Sequence, residues 1–386
     1  MKPIITFEDF LKTYPERTQK RVRLYLKIIT LRNKFGYGSK KIAKILNISR
    51  HKIEGWLYQG NIPRPIKALK ILNDFGLSLP LFISKSDKFI LFLKIFAFTF
   101  GDGGVGKDFR VYLTGDSKDL EGLKEEINNI FKLECKIDEV KPKGSRIGGR
   151  LIKGKSFELD VQGNGSHIIG RLLCSAGAPR GDKVLIPFLV PEWIMNGSKW
   201  IKKLFLEVLL GNEIQTPKLG SYGCHFEHAR FVMVKIKEYT KTHEMFLNQI
   251  KKLLKEFEIE TSEVKLDKPK RYRKDKRLSY PMYFQINRNK INLYKFHKQF
   301  KLLYAQEKQR IFDSAVRAIR RSLENELNKI DCFNKAMKMR NFGLGCRRIA
   351  RAVNMPDKRS MIDGWLRYSQ RPIYTDKREK LEKLLK

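Results

Sequence analysis

One pattern occurs twice in this chain, once near each end, and it commits the fold to two similar helical units separated by a long middle segment. Phe35, Gly36, Gly38, Ile42, Ala43 and Asn47 recur as Phe342, Gly343, Gly345, Ile349, Ala350 and Asn354, a constant offset of 307 (342 minus 35). With two residues added in the second turn, Ile53, Gly55, Trp56, Leu57 and Pro63 recur as Ile362, Gly364, Trp365, Leu366 and Pro372, an offset of 309 (362 minus 53). In the first copy Ser39 is the expected N-cap of a helix over 40–46, whose Ile42, Ala43 and Leu46 form one apolar stripe. A polar turn follows, then a helix over 50–58. That helix exposes Arg50, His51 and Lys52 at its start, where a DNA-reading helix carries its groove contacts. In the second copy the helices fall at 347–353 and 360–368, with Arg359, Ser360 and Arg367 available to DNA. The same stripes also fit plain packed hairpins. In either case Trp56 and Trp365 are expected in the cores.

Charge names the partner class. The 386 residues carry 80 Lys and Arg against 41 Asp and Glu, a formal net charge of +39, with the cations spread along the chain. Such a field attracts polyanions, nucleic acid before a membrane surface. With 42% hydrophobic residues the chain is no disordered tail, and its length is enough for more than one core. Five cysteines without a CxxC pair argue for reduced thiols and against a zinc finger; Cys224, His225 and His228 lie close together but lack a second ligand pair. The longest apolar run, 89–100, is interrupted by Lys94 and is short for a membrane span, and the N-terminus has no signal-peptide core. A soluble cytoplasmic protein, associated with the nucleoid, is expected.

Between the terminal all-α units, 1–85 and 329–386, helices and strands alternate, and their order repeats. A long apolar helix (88–101), strand-like alternation at 109–113, a helix at 120–131, strands at 133–140 and 156–161 and a helix at 167–174 make the first half. Helix 200–211, strand 230–237, helix 244–257, strands 259–266 and 280–287 and helix 293–300 make the second. The first apolar helix ends Ile95-Phe-Ala-Phe-Thr-Phe-Gly-Asp-Gly103, its counterpart Phe205-Leu-Glu-Val-Leu-Leu-Gly-Asn-Glu213. An acid at a helix C-terminus opposes the helix dipole. Two of them, kept at corresponding ends, call for a cation, and paired carboxylates at neighbouring helix ends hold Mg²⁺ or Mn²⁺ for phosphodiester hydrolysis. Ala97 and Gly101 are small enough to let the two helices approach closely.

Here the chain resembles the LAGLIDADG homing endonucleases in their two-motif, single-chain, archaeal-type form. The motifs match at 95–103 and 205–213, with Asp102 and Glu213 at the catalytic acid positions, 111 residues apart (213 minus 102). Gly177-Ala-Pro-Arg-Gly-Asp-Lys183, Ile186-Pro and Val190-Pro-Glu-Trp-Ile194 look like the segment by which archaeal members approach the second motif. The resemblance covers about 240 residues of the middle and implies an α+β fold with a pseudo-symmetric duplicated core: halves at 86–195 and 196–328, flanked by helix-turn-helix domains. It further implies motif helices at the interface of the halves, a four-stranded sheet from each half along the major groove, and metal held by Asp102 and Glu213. Short 3′ overhangs are the expected product. Lys183 and Lys308, each just after the last helix of its half, are the implied catalytic support. The second motif departs from the pattern, because Ile214 follows Glu213 where Gly103 follows Asp102.

Gly101-Asp-Gly103-Gly-Val-Gly106 also satisfies GxGxxG, but the apolar run before it is too long for a strand, and a strand rather than a helix follows. The stretch 265–277 holds eight Lys and Arg, among them Lys270, Arg271, Arg273 and Lys274, and reads either as a solvated loop or as a phosphate clamp. Arg110 and Tyr112 on one strand, and Lys235 and Lys237 on its counterpart, are expected to point from the sheets into a groove, subject to strand register. The resulting expectation is a monomeric, Mg²⁺-dependent, site-specific double-strand DNA endonuclease on a long bipartite site, free-standing because intein splicing signatures are absent. The alternatives are a non-cleaving DNA-binding transcriptional regulator built on the same fold and an RNA-binding intron maturase.

Overall fold

The computed structural model describes residues 2–140, 145–147, 150–152, 156–216, 229–269, 271–273, 275–368 and 370–386, with the backbone alone at 145–147, 150–152, 156 and 271. The chain is a mixture of helices with small antiparallel sheets. Helix α1 (Phe7–Lys12) opens on a capping box in which Thr6 and Asp9 satisfy each other's backbone N–H groups. It is followed by α2 (Glu16–Phe35), stopped by Gly36 in the left-handed conformation, then α3 (Ser39–Leu46), α4 (Arg50–Leu57) and α5 (Arg64–Asp74). Ser39 is not the N-cap that its sequence position implies. Gly38 takes that place, and the buried Ser39 hydroxyl donates to Glu54 at 3.1 Å, tying α3 to α4.

Helix α6 (Asp87–Phe98) is apolar all round and buried, as a helix inside a core must be. Beyond it, β1 (Gly103–Val105), β2 (Val111–Gly115), β3 (Cys135–Val140) and β6 (Ser156–Val161) form an antiparallel sheet in the order β1-β2-β6-β3, with β4 (Ser145–Ile147) and β5 (Arg150–Ile152) as a separate ribbon. Helices α7 (Ser117–Phe131) and α8 (Gly163–Ser175) complete this part. After the short α9 (Glu192–Met195), α10 (Lys199–Glu213) packs on α6. A second antiparallel sheet follows: β7 (Arg230–Ile236) and β8 (Lys265–Leu266) flank β10 (Leu278–Gln285), and β9 (Arg271–Tyr272) also pairs with β10. Helices α11 (Thr240–Glu256) and α12 (Lys290–Gln299) belong to it. Last come α13 (Gln306–Asn341), α14 (Cys346–Ala352), α15 (Arg359–Arg367) and α16 (Arg378–Leu385).

Three apolar cores result. The large one runs from the first sheet through α6 and α10 to the second, and takes in Ile5, Phe10, Leu72 and Leu77 from the N-terminal segment and Leu381 from the C-terminal one. A small core gathers Tyr25, Ile28, Ile42, Ile53 and Trp56, with Trp56 edge-on to Tyr25 at 5.9 Å. Its counterpart holds Phe333, Ala336, Ile349, Ile362 and Trp365, with Trp365 edge-on to Phe333 at 5.6 Å. Sequence lines drawn at 85 and 328 therefore cut through packed structure: both ends feed the central core, and α13 runs unbroken for 36 residues across the second line.

Close approach in the centre depends on glycine. A methyl group on Gly101 would stand 2.7 Å from the Asn212 side chain, and one on Gly211 would collide with the Leu303 carbonyl oxygen. Gly122, inside α7, faces open space. Gly211→Ala is therefore expected to destabilise by about 1–3 kcal/mol through overpacking. Gly122→Ala should stabilise by about 0.5–1 kcal/mol through helix propensity. Urea denaturation checks both; equal effects at the two positions would refute the packing argument.

Candidate active site

The two motif acids lie where a buried helix hands over to a sheet. At the end of α6 the backbone tightens: Phe100 N–H donates to the Ala97 carbonyl at 3.1 Å and Gly101 N–H to that of Phe98 at 3.0 Å. Asp102 thus stands in a turn rather than on the helix, and Gly103 enters the sheet opposite Leu113. On the other side Glu213 is the last residue of α10, and Ile214 leaves extended to bridge Phe231. The missing glycine after Glu213 has a local reason. A Cβ on Gly103 would fall 2.7 Å from the Leu113 side chain and 3.1 Å from the Phe98 carbonyl, whereas Ile214 fits its place with 1% exposure.

Two half-buried lysines close the site. Lys183 Nζ donates to the carbonyl oxygens of Gly101 and, at 2.6 Å, Gly103, on either side of Asp102. Lys308 Nζ donates to the carbonyls of Gly211 at 2.8 Å and Asn212 at 2.6 Å, just before Glu213. Each ammonium also neutralises the C-terminal dipole end that makes these positions unfavourable for an acid. Desolvation by the surrounding chain raises the carboxyl of Asp102 although the residue keeps an exposed surface, with Lys308 and Lys183 pulling the other way. Glu213 is pushed up to about 8 by burial and then by the charge of Asp102, with both lysines pulling the other way. Burial lowers Lys183 and Lys308 against the pull of the two acids. Four groups that oppose or support each other's charge therefore meet in one place.

Two buried residues brace this arrangement, and the sequence reading missed the role of both. Lys235 was expected on the open face of its strand. It is 1% exposed on the core face with Phe231 and Met233, because Arg230, Val232 and Val234 take the outer face. Its Nζ donates to the carbonyls of Lys183 and, at 2.8 Å, Ile186, and lies over the Phe188 ring at 3.7 Å. Burial, with the charge of Lys183, brings Lys235 down to about 7. Asp119, in the first turn of α7, accepts the Gln306 N–H at 3.1 Å, two residues before Lys308. The bracing is crossed: the strand after the second acid holds the turn of Lys183, and the helix after the first holds the start of Lys308's helix. Asn212, packed on Gly101 between the acids, has a buried Nδ2 without a partner among the described residues.

The other candidates lie apart from these four groups. Tyr112 is half-buried on the open face of the first sheet; Arg110 is exposed and ion-paired to Asp160. Lys237 is exposed in the turn after β7 rather than on the strand. Arg273 pairs with Asp182 at 2.5 Å, so it ties the basic hairpin to the turn of Lys183 instead of standing free. Lys270, Lys274, Cys224, His225 and His228 lie outside the described residues, as does the Arg271 side chain. Arg50 pairs with Glu54 at 2.8 Å and Arg367 with Asp363 at 2.8 Å, while His51, Lys52, Arg359 and Ser360 are exposed. No helix among the described residues is long and apolar enough to cross a membrane.

The site's donors fit a hard divalent cation. They are carboxylate oxygens, and among the described residues no cluster of three or more His, Cys, Asp or Glu supplies a protein cage. Mg²⁺ commonly takes one or two carboxylates and completes its shell with water and substrate phosphate.

The raised Glu213 has a signed consequence for stability. Its folded value lies above the ordinary 4.5, so its contribution is full below about 4.5 and is lost as pH rises through about 8. With chelator present, Glu213→Gln should gain stability relative to the parent as urea denaturation is moved from pH 5 to pH 8; a pH-independent difference would contradict the assigned burial. Lys235→Met should free Lys183, which mass spectrometry after amine acetylation would register as several-fold faster labelling of Lys183 with Lys308 still protected. Unchanged labelling of Lys183 would remove Lys235 as its brace, as would equal exposure of both lysines.

No family model matches the chain. It is similar to DNA-directed RNA polymerase subunit Rpo1N of Methanocaldococcus jannaschii, 32% identical over 228 residues, 57% of this chain and 16% of that protein. It is also similar to the Replication factor C small subunit of the same organism, 24% identical over 266 residues, 65% of this chain and 14% of that one. A third relative is the tRNA-splicing ligase RtcB of Methanopyrus kandleri, 30% identical over 177 residues, 44% of this chain and 17% of that one. The chain thus spans 14–17% of the length of these relatives. Among solved structures, variants of the homing endonuclease I-DmoI align with a TM-score of 0.32 at 14% identity, covering 55% of this chain and 97% of theirs. I-DmoI in complex with DNA and Ca aligns at 0.31 and 15%, covering 54% and 88%.

Proposed function

We propose that the chain is a divalent-metal-dependent, site-specific DNA endonuclease of the LAGLIDADG homing type. In this reading it works as a monomer, with halves at 86–195 and 196–328 and helix-turn-helix units at 1–85 and 329–386. The observation that carries it is the convergence of Asp102 and Glu213 at the ends of two packed helices, each with a lysine on the carbonyls beside it. Two neighbouring acids raised by burial, one of them at a helix C-terminus, are a strain that a cation and a phosphodiester substrate would relieve.

The roles follow from the chemistry of the groups. Asp102 and Glu213 would hold Mg²⁺ or Mn²⁺, which when bound supplies positive charge against that developing on the scissile phosphate. Asp102, open to solvent, can also orient a water molecule. Lys183 and Lys308, with proton affinities lowered by burial, can each give a proton from Nζ to a departing alkoxide oxygen.

The relatives' names support the mobile-element part of the reading. A polymerase subunit, a replication factor subunit and an RNA ligase share no activity by name, yet each shares with this chain a stretch of 177–266 residues that is a small part of its own length. That proteins of three different activities each share a stretch with one chain is not what descent of the activities themselves would leave. Each shared stretch behaves as an inserted sequence, and a sequence-specific endonuclease is what spreads such insertions.

The decisive measurement is recovery of cleaved sites from a randomised duplex library with Mg²⁺ and with chelator. Cuts at one recurring sequence are expected only with Mg²⁺. Asp102→Asn and Glu213→Gln should each lower cutting of at least one strand by well over the ~10–100-fold that loss of an outer-shell metal partner costs. Duplex affinity should change little. Sequence-selective binding without cutting would favour the transcriptional regulator, and preference for structured RNA the intron maturase.

A further inference from the structure

The two terminal units share a scaffold but not a surface. Beside Trp56 the first unit forms a cleft of about 380 Å³ between the end of α4, the start of α5 and α2. Arg21, His51, Lys52, Arg64 and Lys67 line it, Gln59 and Asn61 add amide groups, and no carboxylate is among its lining residues. Arg21 and Lys52 face the Trp56 ring at 5.6 and 5.2 Å.

The matching positions of the second unit carry no such set. Tyr25 on Trp56 corresponds to Phe333 on Trp365, so Arg21, four residues before Tyr25, corresponds to Lys329, four before Phe333. Lys329 is spent on Glu326 at 2.6 Å. At the offset of 309, His51, Lys52, Arg64 and Lys67 correspond to Ser360, Met361, Ile373 and Asp376. Four formal positive charges and a histidine around one cleft thus become one neutralised lysine, two apolar side chains, an acid and, for the histidine, a hydroxyl.

We propose that the N-terminal cleft grips a backbone phosphate of the nucleic acid and that the C-terminal unit has no equivalent grip. Cations gathered without a counter-ion repel one another and are relieved by an anion. The chemistry selects phosphate over base: Trp56 is 3% exposed, leaving its ring no free face for stacking, and the accessible lining is cationic and amide. The volume suits a phosphate with its attached sugar. His51 and Lys52 lie on the helix with the groove-facing start, so a phosphate held there fixes the register of that helix without reading sequence. Binding then has a cationic anchor in the N-terminal unit that the matching positions of the C-terminal unit do not repeat. This rests on the nucleic-acid reading above.

The test compares wild type with Arg64→Ala/Lys67→Ala, two exposed side chains, and with Ile373→Ala/Asp376→Ala in the other unit. Duplex affinity is measured across salt concentrations, and inorganic pyrophosphate is titrated calorimetrically. Loss of one phosphate contact should reduce the slope of log K against log salt by about 1 in the first variant, uniformly across sequences, and leave the second unchanged. An unchanged slope in the first variant, or an equal loss in both, overturns the proposal. Pyrophosphate binding that the first variant abolishes while the duplex slope stays intact would assign the cleft to a free nucleotide instead. Wild type that binds pyrophosphate through this cleft but no duplex would sink the nucleic-acid reading itself.

Discussion

Everything at the centre depends on how closely α6 and α10 cross. Gly101, just past α6, leaves room for the Asn212 side chain of α10, and Gly211 leaves room for the Leu303 carbonyl of the loop before α13, so larger residues at either place would push these segments apart. That contact brings two helix C-termini, two carboxylates and two ammonium groups into one small volume. The cost is electrostatic. Helix ends already carry partial negative charge, Glu213 is pushed up to about 8, and the lysines offset part of the strain by donating to the terminal carbonyls. The large apolar core, built on both faces of these helices, must over-determine the crossing for the arrangement to persist.

The crossed braces follow from the same geometry. Each lysine serves the acid of its own stretch of chain, but the segment that carries it is held from the other side of the α6–α10 contact. Lys183 is tied down by Lys235 of β7, and Lys308 through Gln306 by Asp119 of α7. Arg273 adds a third tie, from the basic hairpin to Asp182 beside Lys183. Neither half can shift without moving the other's lysine.

The two central helices were legible because their signals are long: α6 is apolar from Phe89 to Phe98 except at Lys94, and α10 keeps an apolar run from Leu204 to Leu210 broken only at Glu207. The strand parity of β7 was not. Arg-Phe-Val-Met-Val-Lys-Ile is apolar on both faces, so alternation carries no phase, and Lys235 fell on the wrong side by one residue. Ser39 reads as a cap by type, but the glycine before it adopts the extended cap backbone and frees Ser39 for Glu54. The line at 328 falls inside α13, because a helix ends only where something stops it. Between Gln306 and Asn341 there is neither proline nor glycine, and the first stop is Gly343, with a φ of 79°.

That uninterrupted helix gives the two ends of the molecule different mechanical status. At 1.5 Å per residue, the 36 residues of α13 make a rod roughly 54 Å long. Lys308, in its first turn, touches the candidate catalytic carbonyls, and Phe333 and Ala336 near its far end are core residues of the C-terminal unit. The cationic cleft sits at the other end of the chain on a helix of its own, α5, which gives Arg64 and Lys67 to the cleft and Ala68 and Leu72 to the central core but carries neither site lysine. Each terminal unit is thus joined to the centre by a helix that also enters the central core, and only the C-terminal one carries a lysine of the candidate site.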